Sequence, residues 1–95
     1  MTLEDFASFV GSTFIAECDP APVGIDLIEA LPLRNRAKLE RPPFVLVFRS
    51  TPEVKLIEGG YILRCGEWGP GLIHMAPAQP PLGGEAGNYY HAVFN

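Results

Sequence analysis

Apolar residues recur along this chain mostly at every second position, in short runs cut by glycine and proline. Such alternation marks strands that bury one face. The exception comes first. After Thr2, residues Leu3, Phe6, Ala7 and Val10 keep the i, i+3, i+4, i+7 spacing of one helix face, which predicts a short helix over about 3–10. Thr2 is placed to cap it, and Asp5 stands where a capping-box acid would. Glu4 and Asp5 also lie near the positive end of the helix dipole, and Gly11 is placed to end the helix. A helix this short is marginal alone, so its stripe must dock on the rest of the chain.

The remainder reads as strand. "TFIAEC" (13–18) points Phe14 and Ala16 inward, and "VGIDLIEAL" (23–31) points Val23, Ile25 and Leu27 inward at period two. Ile28, directly after Leu27, breaks that alternation and predicts a bulge or a change of face. The run "FVLVFR" (44–49) is apolar at its first five positions, the pattern of a central strand covered on both sides. Phe44, Leu46 and Phe48 would face one way, Val45 and Val47 the other. "YILRC" (61–65) sets Tyr61, Leu63 and Cys65 on one side, and "LIHMA" (72–76) comes after the turn "GEWGPG". "PAQPPLGGEAGN" (77–88) has no period and reads as a long loop. "YYHAVF" (89–94) alternates Tyr89, His91 and Val93 with Tyr90, Ala92 and Phe94. The fold class expected is all-β: one domain, 1–95, built as a small antiparallel barrel or sandwich of about six strands with a short N-terminal helix.

Composition sharpens this in a few places. Ninety-five residues sit near the lower end of what folds unaided, and the ten prolines and ten glycines fall mostly between apolar runs, as strand breakers do. No apolar run approaches the roughly 20 residues of a spanning helix, so no membrane partner is expected. The N-terminus carries Glu4 and Asp5 where a secretory signal would carry bases, which predicts a chain that is cytoplasmic as synthesised. Export by a specialised machine would leave no such mark. Cys18 and Cys65 are the only cysteines; without a signal they read as reduced side chains rather than a disulfide. With no CxxC and only His74 and His91 as partners, neither a metal nor a cofactor is expected.

Charge is more informative by position than in total. Residues 1–33 hold six acids and no lysine or arginine, and "RNRAKLER" (34–41) then packs Arg34, Arg36, Lys38 and Arg41 against Glu40. Provided folding keeps these segments apart, the molecule has an acidic and a basic pole. Tyr61, Trp68, Tyr89 and Tyr90 with those four bases are the ingredients of a nucleic-acid-binding barrel. The net charge of −4 opposes the electrostatic attraction that dominates such binding, so no nucleic-acid partner is expected.

The order "PFVLVFRSTPE…IEGGYILRCGEWG…HMAP…NYYHAVFN" resembles a family of small bacterial proteins of unknown function. Its members run from a short helix through a phenylalanine–arginine strand end to a tyrosine strand, an apolar strand ending in proline and a terminal Tyr-x-Ala-Val-Phe. The resemblance covers nearly the whole chain and is clearest from Phe44 onward. It implies a shared fold, and an association with phage-tail-collar-like fibre proteins, beside which such proteins are often encoded. Segment 34–41 and both cysteines lie outside the pattern.

Chemistry-bearing motifs are absent. The available nucleophiles and the two histidines form no G-x-S-x-G elbow or cysteine-protease signature, and the glycines form neither a P-loop nor a G-x-G-x-x-G. An enzyme is not expected. Arg49 ends a strand buried on both faces, so its head must reach water or a carboxylate, and Ser50 or Thr51 before Pro52 can close a local turn. Trp68, in a turn, either anchors a partner or folds back over the barrel end. Leu82 sits in a loop long enough to make contacts. The function expected is a non-enzymatic interaction or assembly module, binding a protein partner or itself, with Trp68, Arg34, Arg36, Lys38, Arg41 and Leu82 as candidate contacts. The alternative is a small-ligand-binding β-barrel with His74 or His91 at its mouth.

Overall fold

A computed structural model describes residues 1–35, 38 and 40–95. One short helix, α1 (Leu3–Ala7), precedes six strands: β1 (Thr13–Ala16), β2 (Val23–Pro32), β3 (Phe44–Ser50), β4 (Gly59–Cys65), β5 (Trp68–Ala78) and β6 (Asn88–Phe94). They form one closed barrel in the order β1-β2-β3-β6-β5-β4, every neighbour antiparallel. Closure depends on β5. Up to Met75 it pairs with β4, and from Ala76 to Ala78 it pairs with β6 instead. One long strand thus joins two halves of the sheet, and closing the sheet removes free edges that would invite pairing with other chains.

The period-two pattern is realised strand by strand. Phe14, Ile25, Leu27, Leu46, Phe48, Leu63, Ile73, Met75, Tyr90 and Ala92 fill the interior, all at 0–1 % exposure. β3 is buried on both faces from Phe44 to Phe48, as its unbroken apolar run predicts. The irregularity at Ile28 is a bulge: the β2–β3 ladder shifts between Leu27 and Glu29. Past it, Ala30 lies opposite the inward Leu46, while Glu29 and Leu31 lie opposite Val47 and Val45 on the outside. A bulge re-aims every later side chain of its strand, and this one sets the outer face of β2.

The two ends of the barrel are closed by different chemistry. At one end Phe44 and Phe94 stack with ring centres 4.6 Å apart, and Phe6 of α1 sits within 5.3–6.0 Å of Phe44, Phe94 and Trp68. Phe6 is fully buried. Burying such a ring is worth about 1.5–3 kcal/mol, which offsets the cost of ordering a helix too short to hold itself. The other end, six residues along the ladder where Ser50 pairs with Asn88, is polar. At roughly 3.3 Å per residue the two ends are roughly 20 Å apart. The Leu33 N–H donates to the Pro43 carbonyl at 2.9 Å, so the connection holding segment 34–41 leaves from the aromatic end.

Several elements differ in extent from the sequence reading. The helix stops at Ala7 rather than near 10 because the chain tightens: Phe9 N–H bonds to the Phe6 carbonyl, and Gly11, at φ 92°, donates to Leu27 of β2. Asp5 does accept from the Thr2 N–H, at 2.8 Å, as the capping acid. β1 ends at Ala16 rather than 18. β5 is far longer than 72–76: it begins at Trp68 and runs to Ala78, so the turn before it shrinks and the loop after it spans 79–87.

Candidate interaction site

The polar end of the barrel gathers the last residues of β3, the first of β6 and two loops, 51–58 and 79–87. Alternation along β3 sends Arg49 outward and Ser50 inward, and each pins one loop. The Arg49 guanidinium lies 3.2 Å from Asp26 of β2 and 3.3 Å from Glu85, and donates to the Ala86 carbonyl at 2.8 Å. Asp26 is held in turn by the Thr13 hydroxyl at 2.7 Å. Tyr89 adds a bond from its hydroxyl to the Glu85 carbonyl at 2.9 Å. Loop 79–87 is therefore tied down at Glu85 and Ala86.

Inside, Ser50 and Tyr90 hold the second loop. Ser50 Oγ lies 2.9 Å from both the Val54 carbonyl and Tyr90 Oη. Tyr90 Oη accepts from the Leu56 N–H at 3.1 Å, and Asn88 Nδ2 donates to the Val54 carbonyl at 2.6 Å. From β4, the Tyr61 hydroxyl donates to the Ile57 carbonyl at 2.6 Å. Among the described residues every buried side-chain nitrogen and oxygen has a hydrogen-bond partner. These polar groups act as clasps.

Gly87 makes the close approach possible. Its φ is 146°, and a Cβ there would collide with the Ser50 carbonyl and the Arg49 side chain. Between the pinned loops runs an open groove of about 380 Å³, lined by Lys55, Ile57, Pro77, Pro80, Asn88 and Tyr89 among others. Held out from this frame, Ile57 is 79 % exposed and Leu82 fully exposed. Ile57 carries no periodic signal in the sequence, because nothing local says that its loop is fastened on both sides.

The other candidate contacts lie elsewhere. Trp68 is not a free anchor: it is half-buried, 5.3 Å from Phe6 and 5.6 Å from Phe14 by ring centres, and so takes the folded-back reading. Gly71 makes room for it, since a Cβ there would press on the indole at 2.8 Å. Arg34, Lys38 and Arg41 are exposed in the connection at the aromatic end, while Arg36 lies outside the described residues. The described residues do not keep the acidic and basic segments fully apart, and two of the acids are paired elsewhere. Glu4 and Arg41 line one groove, Glu17 pairs with Arg64 at 2.9 Å, and Asp26 pairs with Arg49.

The groups weighed for catalysis are similarly engaged or set apart. His74 is exposed on the outer surface, 3.4 Å from Glu58, and His91 is exposed on the outer face of β6, so neither lines a barrel mouth. Both cysteines are free thiols, Cys65 buried and Cys18 half-buried. Burial, with the negative charge of Asp19, pushes the Cys18 thiol up, away from a reactive thiolate. Burial likewise raises the Tyr61 phenol. Among the described residues no cluster of three or more metal-ligating side chains forms, and no helix is long and apolar enough to cross a membrane.

With this geometry in place, comparison with known proteins gives one family. The model for a domain of unknown function, DUF6916, matches residues 1–94, and the chain belongs to that family. No curated protein and no solved structure matches it.

Proposed function

For a member of this family we propose a non-enzymatic interaction and assembly module whose working surface is the clasped loop end. The observation that carries the reading is Leu82, a fully exposed leucine on a loop fastened at Glu85 and Ala86. An apolar side chain held out on an ordered loop meets a partner without a further ordering cost, which favours binding. Ile57 and the proline-lined groove beside it extend the apolar area. Against catalysis stand the Ser50 and Tyr90 hydroxyls, spent on a clasp, and the exposed His74 and His91, which do not line the groove between the loops. The resemblance to proteins encoded beside phage-tail-collar-like fibre proteins favours a fibre or filament protein as the partner.

The test is a photo-crosslinking residue at position 82 in cells that produce the chain with its natural neighbours. The reading expects one protein of fibre type captured from position 82 and not from Asp19. No capture from 82, or equal capture from both positions, removes it. A small-ligand barrel draws less support, because the interior is packed and the groove is open to water. Its signature would be a ligand that raises the melting temperature.

A further inference from the structure

The outer face of β2, β3 and β6 is separate from the loop-end surface, and its pattern is complementary to itself. The bulge at Ile28 turns Glu29 and Leu31 outward, and the register then lays two rows across the three strands. One row is Leu31–Val45–Val93, the other Glu29–Val47–His91. The central valines are nearly covered, but Leu31 and Val93 at the flanks are 42 % and 55 % exposed. Glu29 and His91, at the flanks of the other row, are exposed as well.

From this pattern we infer that the face pairs with a second copy of the chain, about a two-fold axis running along β3. That axis lays β2 of one copy over β6 of the other. Leu31 then meets Val93 of the second copy, and the Glu29 carboxylate meets the imidazole of His91, which carries an N–H in either tautomer. Both rows are matched twice, as a two-fold contact requires. The other two-fold in the plane of the face, running across the strands, sets Leu31 against Glu29, apolar against charged. Strands in the two stacked sheets remain aligned, the ordinary way that sheets pack face to face. This contact goes beyond the loop-end reading and does not depend on it.

Light scattering over a concentration series gives the test. The chain is expected at twice its 10.4 kDa mass, and Val93→Glu at the single mass with an unchanged far-UV circular-dichroism spectrum. Glu29→His and His91→Glu should each weaken the dimer about tenfold, and the double swap, which restores a carboxylate facing an imidazole, should recover it. If Val93→Glu does not fold, the swap variants decide the matter alone. A monomer at every concentration overturns the inference. So does a species that grows without limit, or a dimer indifferent to all these changes.

Discussion

Ser50 and Tyr90, 40 residues apart in sequence, bring their hydroxyls within 2.9 Å at the polar end of the barrel. The same Tyr90 oxygen accepts the Leu56 N–H, so one phenol joins a strand, its neighbour and the loop between β3 and β4. Tyr90→Phe keeps the ring and removes that acceptor. Because the site is buried, the change should cost about 1–3 kcal/mol in urea unfolding. The Leu56 amide should also exchange with solvent faster than in the parent. If neither changes, the hydroxyl does not hold the loop.

Gly87 offers a sharper trial of the second clasp. Gly87→Ala forces a Cβ toward the Ser50 carbonyl and the Arg49 side chain, and the carbonyl is backbone that cannot swing aside. A loss of about 1–3 kcal/mol is expected from strain, with faster proteolytic cutting inside 79–87 as Arg49 is displaced. Gly59→Ala, which meets nothing within 4 Å and has no positive φ, is the control and should stay within about 0.5 kcal/mol of the parent. Equal behaviour of the two variants would show that loop 79–87 is not fastened through Arg49.

At the aromatic end, Phe6→Ala should be among the most damaging single changes outside the strands. It empties a fully buried site between Phe44, Phe94 and Trp68 and should cost about 3–5 kcal/mol. Chemical denaturation monitored by far-UV circular dichroism reads it. Val10→Ala, at a residue 44 % exposed just beyond α1, should move the midpoint little. A small effect at Phe6 would mean that the helix is not needed to close the barrel.

Alkaline pH should weaken the fold. The Cys18 and Tyr61 groups are both raised above their ordinary values of 9.0 and 10.0, chiefly by burial. Their contribution is complete below those values, where folded and unfolded chains hold the proton alike. It is lost as pH rises through them, because the unfolded chain ionises first. The melting temperature should therefore begin to fall near pH 9 and fall further past pH 10. The double variant Cys18→Ser, Tyr61→Phe should flatten that decline, and an unaltered profile would assign it to other groups.

Much of the architecture was legible because it is local. Period two sorts the faces of β3 and β6 residue by residue, and the adjacent Leu27 and Ile28 announce the bulge. Arg49 was readable in kind, as an arginine at the end of a doubly buried strand whose head must reach water or a carboxylate. Its partners were not, since Asp26 and Glu85 reach it only once β2 and loop 79–87 are in place. Trp68 shows the same limit: its packing depends on Phe6 and Phe14, from the other end of the sequence. The two charged poles were out of reach for a related reason. Glu4 and Arg41 come to line one groove only once α1 has docked, and a linear count of charge carries no information about that.

Because Trp68 is the sole tryptophan and sits against Phe6 and Phe14, the molecule has an optical reporter confined to one end. Its emission will register whether α1 is seated and will be blind to the opening of the two loops. The tyrosine hydroxyls of the clasp, Tyr61, Tyr89 and Tyr90, answer for the opposite end. Two wavelengths on one unmodified chain can therefore tell whether the barrel comes apart at both ends together or from one end first.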